Sequence, residues 1–422
     1  MKLKLVCIFM LMLGLLCGCS VNDSEEPKAS HSVDLTEVTA APDSSSGLDA
    51  STTPSSAYVS SSPTPKPAVK ASLGFVGDIM IMQSQVNTAK LPNGTYDFTD
   101  SFLPMQKLFE DVDLMCGNLE TPLAGKSNGG YSGPATKPFQ TFNAPDELAY
   151  NLKALGVDVL TTANNHCLDR GIEGLVRTID VLRNAKLYST GTYKNSDDRE
   201  KLLIVDINGI KVGILAFSAG FNTYDRQLSS SDLNCISKFY DTDFVKSQIE
   251  RMRAAGADYI VVEPHCGTEL SLKPEERHKQ MFADFARWGA DAVIASHPHV
   301  VQPIEFIDVT RTDGTQATVP IVYSLGNFIS NMLPEPKNYG LYVRLDIEKT
   351  ESGAITTELS YMPVYCIIQE TSKGRLHQTL PCPGDISTIK AYEPLSPTEY
   401  ESCSKCRNFV IDICGAEYVS NK

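Results

Sequence analysis

The sequence predicts an α/β fold, with parallel strand–helix–strand units and an added antiparallel portion. Three observations carry this reading. From Leu73 onward, short apolar runs alternate with amphipathic stretches of helical period. Asn208-Gly209 lies between two apolar runs, the signature of a type I′ hairpin. Nearly every expected parallel strand also ends in a group of carboxylate, amide or imidazole residues, and strand carboxyl ends are where open α/β sheets bind ligands.

Taken in order, Leu73 to Val76 reads as a strand, Phe102 to Phe109 as a helix and Val112 to Met115 as a strand. Pro145 to Leu155 reads as a helix with proline in its first turn, followed by a strand at Val157 to Leu160 and a helix at Gly174 to Ala185. The hairpin pairs Leu202–Ile207 with Lys211–Phe217. A helix at Phe244 to Ala255, a strand at Tyr259 to Val262, a helix at Glu275 to Trp288 and a strand at Ala292 to Ile294 come next. Further strands are expected at Ile321–Tyr323, Leu341–Ile347 and Ile355–Met362, and the chain beyond Val364 shows no clear pattern.

The N-terminus speaks to compartment. Lys2 and Lys4 precede an apolar run, Leu5 to Leu16, of about a dozen residues, which is short for a bilayer span. Leu16-Cys17-Gly18-Cys19 then reads as a bacterial lipobox, with Cys19 taking the lipid. The alternatives are an ordinary signal peptide or an uncleaved anchor, and all three place the chain on the extracytoplasmic face of the membrane. Residues 20–70 are rich in Ser, Thr, Pro and Ala, too poor in apolar surface to offset ordering entropy, and read as a stalk. The expected organisation is a signal over residues 1–19, a stalk over 20–70, one domain over 71–364 and a Cys-containing extension over 365–422.

A formal net charge of −14 sets the surface against phosphate backbones, so no nucleic-acid partner is expected. An acidic protein that handles an anionic substrate needs a cation in its site. Of 12 cysteines, Cys7, Cys17 and Cys19 belong to the signal. Cys382, Cys403, Cys406 and Cys414 read as disulfides or free thiols. Cys116, Cys167 and Cys266 flank motifs and read as small buried residues.

Gly77-Asp78, Gly117-Asn118-Leu119-Glu120, Asn164-Asn165-His166, His265 with Glu269 nearby, His297-Pro298-His299 and Ser324-Leu325-Gly326-Asn327 each follow an expected strand. Asp78, Glu120, Asn165, His265, His297 and His299 offer mixed nitrogen and oxygen donors, a set suited to Zn, Mn or Fe rather than Ca or Mg. One or two such ions are expected.

Six ordered motifs, Gly77-Asp78-Ile79-Met80, Gly117 to Glu120, Ala163 to His166, His265 to Glu269, His297 to Val300 and Tyr323 to Phe328, resemble those of the CapA family of capsule and poly-γ-glutamate synthesis proteins. That family is similar in fold to the calcineurin-like metallophosphoesterases. The resemblance implies a four-layer α/β/β/α sandwich. It implies Asp78 and His299 on a first metal, His265 and His297 on a second, Asn165 as a metal-binding asparagine, Glu120 as a bridge and His166 as the catalytic acid. Glu269 would orient a histidine or stand as a solvated loop carboxylate, and Asn118, Asn164, Ser324 and Asn327 would support the site or contact substrate. Departures from the phosphoesterase pattern are Met80 where a histidine is usual and Glu120 in place of aspartate. From the CapA pattern, Cys266 departs in place of tryptophan and Ala295-Ser296 in place of Gly-His. They leave a one-metal site or a binding cleft open.

The expected function is a lipid-anchored component of capsule or poly-γ-glutamate synthesis or export. Its partners would be membrane-embedded synthesis proteins and the anionic polymer. The alternatives are a metal-dependent phosphoester or cell-wall amide hydrolase and a non-catalytic polymer-binding scaffold.

Overall fold

The computed structural model of the chain describes residues 68–132 and 141–420. The signal, Cys19 and the stalk up to residue 67 lie outside the described residues. No described helix is long and apolar enough to cross a membrane.

Fourteen described strands form two sheets. The first contains β1 (Val69–Ile79), β2 (Leu114–Leu119), β3 (Val159–Thr161) and β4 (Tyr188–Thr190), parallel to one another. The second is built from the hairpin β5 (Leu203–Ile207) and β6 (Ile210–Ser218), then β7 (Tyr259–His265), β8 (Ala292–Ile294), β9 (Ile304–Thr310) and β10 (Gln316–Val322). The chain then returns to the first sheet through β11 (Asn327–Ile329), β12 (Tyr339–Lys349), β13 (Ile355–Thr371) and β14 (Gly374–Pro381). The first sheet runs β14-β13-β12-β1-β2-β3-β4, with β11 parallel to the end of β1. The second runs β5-β6-β7-β8-β10-β9, parallel at its centre and antiparallel at both edges.

The central strands are buried on both faces, as parallel sheets require. Val76 and Ile79 of β1 join a cluster with Phe102, Leu152 and Leu182 from overlying helices. Ile260 and Val262 of β7 join another, with Ile249, Phe282 and Phe285. The alternate residues, such as Phe75 in β1 and Val261 in β7, are also fully buried. Their faces meet between the sheets, where Thr357 of β13 donates a 3.1 Å hydrogen bond to the Tyr259 hydroxyl of β7. Helix Gly171–Asn184 thus lies outside one sheet, helices Thr242–Ala254 and Glu276–Trp288 outside the other, giving the α/β/β/α sandwich.

Local physics explains where the elements differ from expectation. The hairpin turn is as expected: Asn208 and Gly209 both have positive φ, 56° and 88°. The single helix expected over Phe102–Phe109 is broken into Thr99–Phe102, a 3₁₀ turn at Leu103–Met105, and Gln106–Glu110. Pro104 is the cause, since it lacks an N–H and restrains the residue before it. The boundary drawn at Val364 is corrected. It falls inside the 17-residue strand β13, which pairs with β12 on one side and β14 on the other. The tail adds helix Pro397–Cys414, opened by a capping box between Ser396 and Glu399.

Candidate metal centre

The carboxyl ends of β1, β2, β3, β7 and β8 open on one side of the sandwich, so residues remote in sequence meet there. Gly77 makes the first contact possible. A Cβ at Gly77 would lie 1.9 Å from the Gly326 carbonyl oxygen, which accepts the Asp78 amide at 3.1 Å. That bond carries the chain just before β11 onto the end of β1. Asp78 is thereby fixed with no exposure to solvent.

Asn118, at the end of β2, is the hub. Its Nδ2 donates to Asp78 Oδ1 at 2.7 Å and lies 3.2 Å from His265 Nδ1. Its Oδ1 accepts from Asn164 Nδ2 at 3.1 Å, and Asn164 also donates to the Leu119 carbonyl at 2.8 Å. This network ties the first sheet's loops to β7 of the second. It supports the ligands and leaves Asn118 little freedom to bind substrate.

The six expected donors come together. His265 Nε2 lies 2.8 Å from Asn165 Oδ1, 3.1 Å from His297 Nδ1 and 3.5 Å from Glu120 Oε1. His299 Nδ1 lies 3.1 Å from Asp78 Oδ2, and its Nε2 lies 4.0 Å from Glu120 Oε1. Asp78, Glu120 and His265 form one group whose ligand atoms all lie within 4.8 Å of one another; Glu120, His297 and His299 form a second. Glu120 belongs to both, as a bridging carboxylate must.

Backbone geometry reinforces this. His297 and His299 have φ of 106° and 58°, in the left-handed half of the map that side chains avoid. Such conformations cost about 1–3 kcal/mol each and cluster at functional sites. Pro298 between them packs against the place a Cβ on Gly267 would fill, 2.9 Å away.

The electrostatics are those of a cation site. Burial alone would raise Asp78, but His299, His265 and Asn118 outweigh it and hold its carboxyl down at about 2. Burial, reinforced by Asp78, pushes Glu120 up to about 8. Burial pushes His265 down to about 3 and His297 well below the ordinary imidazole value. Burial works against the charged form of His299 too, yet Glu120 and Asp78 raise it to about 10. Both Glu120 oxygens are buried without a hydrogen-bond partner among the described residues, and Asp78 Oδ2 faces the His299 imidazole. Acceptor atoms left so in a cage of imidazoles fit a divalent ion.

Around this centre the remaining expected residues divide. His166 stands at the rim, its Nε2 4.0 Å from Glu120 Oε1. Asn327 Oδ1 lies 3.1 Å from His299 Nδ1, and its Nδ2 donates to the Lys337 carbonyl at 2.7 Å, so Asn327 orients a ligand. Ser324 Oγ accepts from the Gly326 amide at 3.2 Å and shapes the turn. Glu269 does not orient a histidine. It is exposed and makes no hydrogen bond among the described residues, because the chain turns outward after β7. Cys116, Cys167 and Cys266 are buried free thiols pushed upward by burial, with none among the ligand groups.

Sequence reasoning missed Asp169. Its Oδ2 lies 2.8 Å from His166 Nδ1 and also accepts the Phe142 amide at 2.6 Å. The Phe142 ring lies 4.3 Å from the imidazole between centroids. The spacing of three residues from His166 was the available signal.

Residues 72–332 match the family model described as bacterial capsule synthesis protein PGA_cap. The chain belongs to this family. It is 29% identical over 330 residues to the capsule biosynthesis protein CapA of Bacillus anthracis, covering 73% of this chain and 75% of that one. It is 28% identical over 263 residues to the PGA biosynthesis protein CapA of Bacillus subtilis (strain 168), covering 61% and 63%. Among solved structures, TT1561 of Thermus thermophilus aligns over 69% of this chain and 99% of its own, at 8% identity and a TM-score of 0.32. All six donors of the centre lie inside the segment that this PGA_cap match covers.

Proposed function

We propose that this chain is an extracytoplasmic, lipid-anchored protein of capsule or poly-γ-glutamate synthesis or export, whose metal centre engages the anionic polymer. The observation that carries the reading is Glu120: a fully buried carboxylate, neither oxygen hydrogen-bonded among the described residues, shared by two groups of potential ligands. A site built only to pack would leave no such pair of acceptors. The family and its CapA relatives support the capsule assignment.

In this reading Asp78, Glu120, Asn165, His265, His297 and His299 would hold one or two divalent transition-metal ions, with Glu120 common to both groups of potential ligands. Once bound, the ions supply positive charge that polarises an oxygen of the substrate. The protein's own groups do the rest. Asn118 and Asn327 fix the ligands. Asp169 holds His166 by its Nδ1, so that Nε2 faces the centre and places a proton at the leaving group. The buried walls exclude water, which strengthens each of these interactions. The lipid on Cys19 keeps the cleft beside membrane-embedded synthesis proteins.

Metal content tests this directly. Purified protein should carry one or two transition-metal ions per chain, lost on Glu120→Ala or His299→Ala. Absence of stoichiometric metal in protein refolded with Zn, Mn or Fe would favour the scaffold reading. Robust cleavage of simple phosphodiesters, with no affinity for γ-glutamyl polymer, would favour a general hydrolase.

A further inference from the structure

Next to the metal centre lies a second cavity, of about 610 Å³, that the ligand set does not use. It sits at the carboxyl end of β6, where Ser218 pairs in register with His265. Ser218, Asn222, Arg226, Lys238, Tyr240 and Asp241 are among its lining residues. The Ala219 amide donates to the His265 carbonyl at 3.0 Å, so cavity and centre share a wall.

Asn222 joins the two sites. Its Oδ1 accepts from Asn165 Nδ2 at 3.4 Å, on the side of Asn165 away from His265. Its own Nδ2 is buried with no partner among the described residues. Asn222 and Thr223 both have left-handed φ, 48° and 67°, so the backbone is strained over two successive residues with side chains. Packing of Phe221, Tyr224 and Leu228 against Leu168, Leu175 and Ile179 holds that loop in place.

The charges lining the cavity balance, Asp225 and Asp241 against Arg226 and Lys238, but they are not all paired. Asp225 is paired with Lys238 Nζ at 3.1 Å. Asp241 caps helix Thr242–Ala254 by accepting the Phe244 amide. Arg226 is left, with no hydrogen bond or ion pair to its side chain among the described residues. The Arg226 guanidinium, unpartnered among the described residues, and Asn222, which contacts Asn165, thus both line one cavity beside the centre.

We propose that this cavity is a binding subsite for a free α-carboxylate of the polymer, held by the Arg226 guanidinium while the adjoining backbone lies over the metal centre, with Asn222 linking the subsite to Asn165. The inference rests on the polymer reading above and adds the residues that read the polymer's charge. A guanidinium presents a planar fork that matches a carboxylate, and a charge-assisted bond discriminates against the neutral amide of similar shape.

The test compares binding of a γ-linked glutamate decamer and its α-carboxamide analogue, a γ-linked isoglutamine decamer, to metal-loaded protein by calorimetry. Wild type should bind the acid and not the amide. Arg226→Ala, at an exposed position, should weaken acid binding roughly tenfold to a hundredfold. Asn222→Ala should weaken it less, and metal content should be unchanged in both. If both variants bind the acid as wild type does, the subsite is wrong while the polymer reading stands. If wild type binds both decamers equally, the subsite alone falls; if it binds neither, both are overturned.

Discussion

Asp169 Oδ2 lies 2.8 Å from His166 Nδ1 and accepts the Phe142 amide with the same oxygen. One buried carboxylate thus orients the candidate acid and anchors the strand of chain that stacks on it. Asp169→Ala should cost about 2–3 kcal/mol of stability in denaturant unfolding, because it strands a buried donor. Any hydrolysis of the polymer should fall roughly 10- to 100-fold at unchanged metal content, the usual effect of losing an orienting partner. A variant with wild-type turnover would remove His166 from the chemistry.

Glu263 points between the sheets beneath the centre, and burial pushes its carboxyl up to about 8. The folded chain therefore keeps a proton that the unfolded chain releases near pH 4.5. Stability should fall as pH rises from about 4.5 to 8, by a few kcal/mol at most. With chelator present, Glu263→Gln should match wild type in Tm near pH 5 and exceed it near pH 8. Parallel Tm curves across that range would contradict the assignment.

Gly77 has no room for a methyl group, given the 1.9 Å approach to the Gly326 oxygen. Backbone cannot move aside as a side-chain tip can. Gly77→Ala should destabilise by at least about 3 kcal/mol and lose metal with it. Gly94→Ala, where a Cβ meets nothing within 4 Å, is the comparison, although its φ of 90° carries its own smaller strain.

The thiols of Cys116, Cys167 and Cys266 are buried and shifted upward, so little thiolate forms at neutral pH. Alkylation by iodoacetamide should be negligible in buffer and complete in urea. Rapid labelling of Cys266 in folded protein would revive a role for sulfur at the centre.

The donors of the centre were legible because ligands at strand ends leave a local signature: polar residues just after an apolar run. Asp78, His265 and His299 could each be found without knowing what lay across the sandwich. The two readings of Glu269 could not be separated for the same reason, since proximity in sequence to His265 says nothing about which way a turn leaves the sheet; its exposed position is that of a solvated loop carboxylate. Asn222 and Arg226 were invisible, because only the pairing of β6 with β7 brings them beside the centre. The C-terminal helix was missed on chemical grounds. Its buried stripe is Cys403, Cys406, Val410 and Cys414, and cysteine was weighed as a disulfide partner or free thiol; here the thiols are free and serve as small apolar side chains. Ser396 and Glu399 had already marked where that helix starts.

The passage from β10 to β11 is where the chain leaves one sheet and enters the other. Within four residues it shapes its own turn through Ser324, grips Asp78 through the Gly326 carbonyl and steadies His299 through Asn327. Half of the centre's donors belong to each sheet, and this segment is the clasp between them. An ion seated there would act as a rivet, so slippage of one sheet over the other would have to break the centre first. Loading the protein with metal should therefore slow amide exchange in β1 and β7 together, at the end of the sandwich that bears the site.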